Sequence, residues 1–228
     1  MARRLLGRAI FLRHGQTEYT DMFPDLTRQG IRTIKKSAGL IRPIAEEHQS
    51  VAIVASPMVR AQGSAAVLVN ELKYEGKIKE EPAIAAAIAK DKKRGKALFD
   101  EYIANGGMRA LCVAYGTDPR FEDREVIEPR SEIQKRFFGY FAHLIRCLLI
   151  SQQSPPCLIH VSHYETLYHF VERLFKLDYK KDEPLGHGEI IVVSIFDIGI
   201  ENIVEIEVTF REKTIRKKFF DYKDKKIR

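Results

Sequence analysis

The chain has 228 residues and a mass of 26.2 kDa, which is enough for one α/β domain with a sizeable core. Hydrophobic residues make up 45% and charged residues 30%, with a mean hydropathy of −0.25, so the composition excludes intrinsic disorder for most of the chain and excludes a membrane-spanning bundle. Three cysteines without metal-binding spacing, and an N-terminus unlike a signal peptide, favour a reducing compartment, and we expect the cytoplasm. The formal net charge of +7 indicates an anionic partner without specifying it.

Apolar runs and helical patterns alternate along the chain. The runs predict strands at residues 8–12, 51–55, 157–161, 190–196 and 203–210. Helical periodicity predicts helices at residues 27–47, 57–72, 131–149 and 163–175. This alternation predicts an α/β fold, a three-layer, doubly wound, mostly parallel sheet with helices on both faces. The last of the strands alternates apolar and polar residues, which is compatible with an edge of the sheet.

Two segments depart from this alternation. Residues 87–130 contain a charged helical pattern, a Gly106-Gly107 break and a polar loop, and we interpret them as a cap inserted on the sheet. The C-terminal segment 211–228 holds nine Lys or Arg and three acidic residues, a net charge of +6, and the pattern is typical of a solvated tail or a final strand. It also offers a weak contact for an anionic surface. We expect residues 1–228 to form a single domain.

Three predicted strands end in residues suited to phosphate. The residues are Arg13-His14, Ser56-Pro57 with Arg60 close behind, and Ser162-His163. The two serines are predicted helix N-caps, as is Ser131, which forms a capping box with Gln134. Helix N-termini bind anions, and ligands of open α/β sheets bind at the carboxyl ends of the strands. Two arginines and two histidines should therefore converge on a tetrahedral dianion, and the predicted ligand is a phosphoryl group.

These residues resemble the signature of the histidine phosphatase superfamily, the phosphoglycerate mutase-like proteins. Four blocks match in order: RHGQTE at 13–18, LTRQG at 26–30, SPMVRA at 56–61 and SHYET at 162–166. The resemblance implies that His14 is the nucleophile, forming a phosphohistidine, and that Arg13, Arg60 and His163 bind the phosphoryl oxygens. It also implies substrate contacts from three further residues, Gln16, Thr17 and Ser162. Fixed positive donors stabilise the transferring group, so no metal or other cofactor is expected.

The usual proton donor of this superfamily is missing. Many relatives carry a glutamate in a segment resembling D-P-x-L-x-E, where this chain has Ala86. Glu165 is a substitute, because a second branch of the superfamily carries its acid directly after the second histidine, but Ser162 and Glu165 equally fit a capping box. Weaker candidates lie in the cap: Asp91, Asp100 and Glu101. A substrate with a good leaving group would need no acid.

The sequence therefore favours a metal-independent phosphatase, a phosphoric monoester hydrolase that acts on a phosphorylated small molecule or a phosphoprotein. The alternatives are a catalytically weak or inactive phosphate-binding module of the same fold and a phosphoglycerate-type mutase. Leu26 follows His14 by only twelve residues, without the long loop of the sugar-phosphate mutases, which disfavours the mutase.

The other histidines receive simpler interpretations. His160 lies within a predicted apolar strand and is expected in the core. His187 stands between two glycines before a strand, and we interpret it as a turn residue. His160, His163 and His169 lack the spacing of metal ligands, so no metal site is predicted.

Overall fold

A computed structural model describes residues 3–19, 24–151, 153–177, 182–200 and 203–220. The strands in this part of the chain are β1 (Arg4–Arg13), β2 (Thr17–Tyr19), β3 (Pro24–Leu26), β4 (Val51–Ala55), β5 (Lys79–Glu80), β6 (Cys157–Ser162), β7 (Ile190–Ile200), β8 (Ile203–Phe210) and β9 (Lys213–Phe220). The helices are α1 (Arg28–Glu46), α2 (Val59–Leu72), α3 (Lys92–Thr117), α4 (Arg130–Ile150) and α5 (Tyr164–Phe175).

The main sheet has the strand order β5-β4-β6-β1-β7-β8-β9. Strands β5, β4, β6 and β1 pair in parallel, whereas β7, β8 and β9 follow as antiparallel neighbours. Five of these seven strands consequently point the same way, which confirms an α/β fold with a mostly parallel sheet. Strands β2 and β3 form a separate antiparallel pair just after β1.

Successive residues of β1 face two different hydrophobic clusters. Ala9 and Phe11 pack with residues of α4 and α5, whereas Ile10 and Leu12 pack with residues of α1 and α2. All four side chains are fully buried. This burial on both faces explains why the strand is a continuous apolar run, and it places helices on both sides of the sheet.

The expected edge position of residues 203–210 is wrong, because β8 pairs with β7 on one side and β9 on the other. Its alternation reflects burial of one face: Ile206 is fully buried, whereas Glu207 pairs with Arg3. Strand β9 takes the edge, which confirms the final-strand interpretation of the basic segment for Lys213–Phe220. Its exposed Lys217 and Lys218 discourage pairing with another chain. Residues 221–228 lie outside the described part.

The cap contains α3, and the predicted break at Gly106-Gly107 is confirmed by non-helical backbone angles at both residues. The helix resumes and extends to Thr117, into the segment predicted as a polar loop.

Two predicted helix starts are wrong. Helix α4 begins at Arg130 after Pro129, so Ser131 lies inside it and forms no capping box, and α2 has Met58 as its N-cap.

Helix α1 approaches the chain after β1 so closely that glycine is required at the contact. A Cβ atom at Gly30 would lie 2.2 Å from the Gln16 carbonyl oxygen, and one at Gly15 would lie 2.8 Å from the Gly30 carbonyl oxygen. Thr27 caps the helix by accepting the Gly30 N–H at 2.8 Å, and its own N–H donates to the Gln16 carbonyl at 3.0 Å. The start of α1 therefore fixes the backbone that follows His14.

Substitution of Gly30 tests this contact. Gly30→Ala should lower the free energy of unfolding by about 2–3 kcal/mol in a urea titration, because the added methyl group meets backbone that cannot yield without disturbing the Thr27 cap. The control is Gly39→Ala in the same helix, where an added Cβ meets no atom within 4 Å. It should be neutral or stabilise by up to about 1 kcal/mol. Equal destabilisation by the two substitutions would contradict this assignment.

Candidate active site

The carboxyl ends of β1, β4 and β6 meet at one point, as predicted. The His14 N–H donates to the Ser162 carbonyl at 2.9 Å, and the Ser56 N–H donates to the Val161 carbonyl at 3.0 Å. Four basic side chains converge there and all are buried, and we call them the Arg/His cluster: Arg13, His14, Arg60 and His163.

His14 is held as a neutral imidazole with one unprotonated ring nitrogen. Its Nδ1 lies 2.7 Å from the Gly15 carbonyl, which can only accept, so Nδ1 carries the proton. Its Nε2 is therefore unprotonated, and Arg60 Nε donates to it at 3.1 Å. Burial, followed by the charges of Arg60, Arg13 and His187, lowers the pKa of His14 well below its ordinary value. An unprotonated Nε2 is what a nucleophilic histidine requires.

Ser64 supports both Arg60 and the backbone beside His14. Its hydroxyl donates to the Arg60 carbonyl at 2.8 Å and accepts the Gly15 N–H at 3.0 Å. Ser64 is fully buried, so these bonds have no competition from water. Sequence reasoning missed this residue, although its position one helical turn after Arg60 is a usable signal.

His163 is the N-cap of α5, and its ring lies close to that of His14. Its ring centroid is 5.0 Å from that of His14, and its Nε2 lies 2.7 Å from Ser56 Oγ. Burial is the largest cause that lowers the pKa of His163, followed by the charge of Arg60. Within the described residues, His163 Nδ1 and Arg13 Nε are buried without a hydrogen-bond partner. The cluster therefore suits an oxyanion that brings acceptors to these groups.

Arg13 connects the cluster to the cap and to the loop before β7. Its Nη1 donates to the Leu185 carbonyl at 2.7 Å, and its guanidinium carbon lies 5.3 Å from the centre of the Tyr164 ring. The Tyr164 hydroxyl donates to the Cys112 carbonyl of α3 at 3.2 Å. Burial raises the pKa of Cys112 to about 11, although Arg13 opposes this, so the side chain is a neutral thiol.

Three predicted substrate-binding residues have other partners. Ser162 is buried and its hydroxyl donates to the Ile84 carbonyl at 2.8 Å, so it does not cap α5. The exposed Gln16 contacts Thr27 through its backbone, and Thr17 pairs with Leu26 between β2 and β3. In the described ranges, no hydrogen bond joins these three side chains to the Arg/His cluster. Their roles toward substrate stay predictions.

Glu165 lies half-buried in the first turn of α5, and it does not form the capping box that competed with the catalytic interpretation. The hydroxyl of Ser162 is bonded elsewhere, and His163 is the N-cap. Burial raises the pKa values of Cys112 and Tyr115 in the cap, and the charge of Glu165 contributes to both shifts.

The cap carboxylates that were weaker candidates are engaged away from the cluster. Asp91 caps α3 by accepting the Lys93 N–H at 2.9 Å. Asp100 pairs with Lys96, and the exposed Glu101 pairs with Arg120 at 2.9 Å. These contacts leave Glu165 as the candidate acid beside the cluster.

The loop around Ala86 is held by a side chain that sequence reasoning missed. Arg136 of α4 donates to the Ala85 carbonyl at 2.6 Å and to the Ala86 carbonyl at 3.0 Å, and pairs with the buried Glu128 at 2.8 Å. Its charge also contributes to lowering the pKa of His163. Glu128 and Arg136 are eight residues apart, and such a pair of residue types is too common in sequences to predict this ion pair.

The prediction for His160 is confirmed, whereas that for His187 is incomplete. His160 is fully buried, stacks on Phe11 with ring centroids 4.5 Å apart, and has its Nε2 2.7 Å from the Tyr140 hydroxyl. His187 lies in a turn, but its ring centroid is only 5.5 Å from that of His14. Burial and the charges of Arg13 and Arg60 lower the pKa of His187 to about 3. The site therefore contains a third imidazole.

Two further observations concern metal binding and membrane spanning. Among the described residues, no three His, Cys, Asp or Glu side chains are arranged to hold a metal ion. None of the helices in that same part of the chain combines the length and the apolar character needed to cross a bilayer.

Comparison with known proteins identifies the fold. No family model matches the sequence, and no curated protein matches it. A solved structure called mycobacterial hydrolase 1 aligns with a TM-score of 0.59 at 17% identity, covering 92% of this chain and 100% of its own. The mycobacterial glucosyl-3-phosphoglycerate phosphatase aligns with a TM-score of 0.57 at 17% identity, over 90% of this chain and 97% of its own. Phosphoglycerate mutase from Bacillus anthracis aligns with a TM-score of 0.55 at 11% identity, over 82% and 87%.

These structural neighbours are members of the histidine phosphatase superfamily. At such low identity the comparison shows the fold alone. The chain therefore has the histidine phosphatase fold, and the Arg/His cluster lies at the carboxyl ends of its central strands.

The buried histidines should make stability depend on pH. His160 has a pKa of about 4 in the folded chain, because burial disfavours its charged form, against about 6.5 when unfolded. Between these values the unfolded chain binds a proton that the folded chain does not, so stability falls as the pH is lowered. From pH 7 to pH 5 this site alone should account for a loss of about 2 kcal/mol.

Chemical denaturation of His160→Gln at the two pH values tests this, because the variant should show a smaller loss by about 2 kcal/mol. The control is the exposed His143→Gln, which should keep the wild-type dependence on pH. If His160→Gln also kept the wild-type dependence of stability on pH, the assignment of His160 as a buried, neutral imidazole would be contradicted.

Proposed function

We propose that this protein is a metal-independent phosphatase that hydrolyses phosphomonoesters through a phosphohistidine at His14. The observation that carries the proposal is the neutral His14 whose unprotonated Nε2 lies 3.1 Å from Arg60 Nε, inside a cluster of buried basic groups. A phosphoryl dianion is the ligand that such a cluster fits best, because it supplies charge and acceptors together. A nucleophile placed among the phosphate-binding groups favours transfer over binding alone.

The first step uses the resting contact between Arg60 and His14. An entering phosphoryl group attracts Arg60 to its oxygens, which frees the Nε2 lone pair to attack phosphorus. The N–P bond forms as the bond to the leaving oxygen breaks, and the Gly15 carbonyl continues to hold the proton on Nδ1. In the second step a water attacks phosphorus, the N–P bond breaks, and phosphate is released with neutral His14 restored. The cationic donors stabilise the transferring group in both steps.

Glu165 is our proposal for the acid that protonates the leaving oxygen in the first step. It lies in the first turn of α5, two residues after His163, and its charge and that of Arg13 both act on the Cys112 thiol. In the second step the resulting carboxylate accepts a proton from the attacking water. This role matters only for substrates whose leaving group is a poor one, such as an alkoxide.

The comparisons support phosphoryl chemistry on a phosphorylated small molecule, since one neighbour is named a glucosyl-3-phosphoglycerate phosphatase and another a phosphoglycerate mutase. A phosphoprotein is the other substrate class we keep. The twelve-residue separation of His14 and Leu26 favours hydrolysis over mutase activity. Three free cysteines are consistent with the cytoplasmic location that we propose.

A second candidate function is a phosphate-binding module without turnover. Ala86 favours it, because this side chain replaces the carboxylate that the resemblance places beside the phosphoryl group. The Arg/His cluster would then hold a phosphorylated ligand without releasing phosphate. Turnover that depends on His14 distinguishes the two functions.

Covalent labelling tests the nucleophile. Acid quenching during turnover of an aryl phosphate labelled at phosphorus should trap acid-labile label on the wild-type chain, whereas His14→Ala should trap none and lose all turnover. The exposed His143→Ala is the control and should label as the wild type does. Label retained by His14→Ala would contradict the proposal, and phosphate binding without turnover would favour the module.

Leaving-group dependence tests the acid. Glu165→Gln should slow an alkyl phosphoester by about 100-fold or more and leave an aryl ester within about threefold, because only the poor leaving group needs a proton. Glu172→Gln in the same helix is the matched control and should affect neither ester. Equal slowing of both esters by Glu165→Gln would show that the residue acts structurally.

A further inference from the structure

The loop before β7 brings to the site an imidazole that the chemistry above does not use. The ring of His187 faces that of His14 at 61°, with centroids 5.5 Å apart. The charges of Arg13 and Arg60 both act on His187. Arg60 is also the residue that donates to His14 Nε2, at 3.1 Å.

The residue after His187 is fixed to the sheet and to α1. Gly188 has a φ of +71°, and a Cβ atom there would lie 2.5 Å from Thr33 Cγ2. Its N–H donates to the Arg13 carbonyl at 2.9 Å, and its carbonyl accepts from the Ser37 hydroxyl at 2.6 Å. One end of the turn is therefore held against the strand that carries the nucleophile.

The outer side of the same loop is held by Arg211, in the turn between β8 and β9. Its guanidinium donates to both carboxylate oxygens of Glu189 at 2.7 Å, and to the carbonyls of Glu183 at 2.6 Å and Pro184 at 2.8 Å. Glu189 in turn accepts the Gly186 N–H at 2.5 Å. This network around His187 is more extensive than a connecting loop needs, since such loops usually vary in conformation.

We propose that the ring N–H of His187 donates a hydrogen bond to the phosphoryl group bound at His14, and that Arg211 is the positioning residue that holds His187 there. The inference rests on the proposed function, because it places a phosphoryl group at His14. A neutral imidazole adds a donor without adding a third permanent cation beside Arg13 and Arg60. The loop then forms a wall of the phosphate site.

Orthophosphate binding to the full chain, measured by calorimetry, tests His187 directly. His187→Ala should raise the dissociation constant by about tenfold to 100-fold, the usual effect of losing a hydrogen bond to a charged group. His187→Asn and His187→Gln each keep one N–H near a ring nitrogen position, so one of them should recover at least part of the affinity. The KM for an aryl phosphate should rise by the same factor as the phosphate dissociation constant.

Arg211 is tested by a double-mutant cycle, because it should act only through His187. Arg211→Ala should weaken phosphate binding by about threefold to tenfold in the wild-type background and should have no further effect in His187→Ala. The control is Arg216→Ala, which removes a pair with Glu207 at 2.8 Å elsewhere on the same hairpin and should leave phosphate binding unchanged. If Arg211→Ala does not fold, Arg211→Lys, which keeps the charge without the planar fork, takes its place.

An unchanged phosphate dissociation constant in His187→Ala would overturn the proposal, as would an Arg211 effect of equal size with and without His187. These outcomes differ from failure of the phosphatase proposal. If phosphate binding depends on His187 but His14 takes no label, the result supports the proposed contact of His187 with phosphate and contradicts the phosphohistidine mechanism.

Discussion

The hydrogen bond from His14 Nδ1 to the Gly15 carbonyl fixes the tautomer on which the whole site depends. It puts the lone pair on Nε2, where Arg60 meets it. The Gly15 carbonyl is itself fixed from two sides, because Ser64 accepts the Gly15 N–H and the backbone of Gly30 packs against the Gly15 Cα. Helices α1 and α2, which also cover one face of the sheet, therefore determine the tautomer of His14.

The electrostatics of the site follow from crowding basic groups in a buried space. Burial, followed by the charges of the neighbouring arginines, lowers the pKa values of His14, His163 and His187, so their imidazoles stay neutral. Such an arrangement reduces stability, and perturbed groups of this kind gather at functional sites. A dianion would relieve the repulsion between the guanidiniums and would offer an acceptor to the unpartnered Nδ1 of His163. Binding and chemistry then depend on the same few charges, and the basic pI of 9.2 contributes little.

The sequence predicted the junction of β1, β4 and β6 because two simple rules coincide there. Continuous apolar runs mark strands buried on both faces, and polar residues that follow such strands meet at one edge of a parallel sheet. Local capping rules failed at the serines for a physical reason. The Ser162 hydroxyl donates to the Ile84 carbonyl instead of capping α5. The Ser56 hydroxyl contacts His163 and accepts the Met58 N–H at 3.2 Å, but α2 begins only after Met58, so Ser56 lies before its N-cap.

The remaining features depend on contacts between residues far apart in sequence. His187 reaches the site because Arg211 and Ser37 hold its loop from opposite sides, and neither residue is near it in the chain. The first residue of the basic segment 211–228, Arg211, thus bonds the loop that carries His187. Similarly, the pairing of β8 on both edges is a property of the assembled sheet, and its alternating sequence reports only which face is buried.

Nitrogen-15 NMR of the imidazole rings tests the central claim most directly, with the signals of His14 assigned by comparison with His14→Gln. The account predicts that at pH 7 Nδ1 of His14 carries the proton and Nε2 carries none, and that this state persists below the pH at which histidine ordinarily titrates. A His14 protonated at Nε2, or one that titrates near its ordinary pKa, would contradict it.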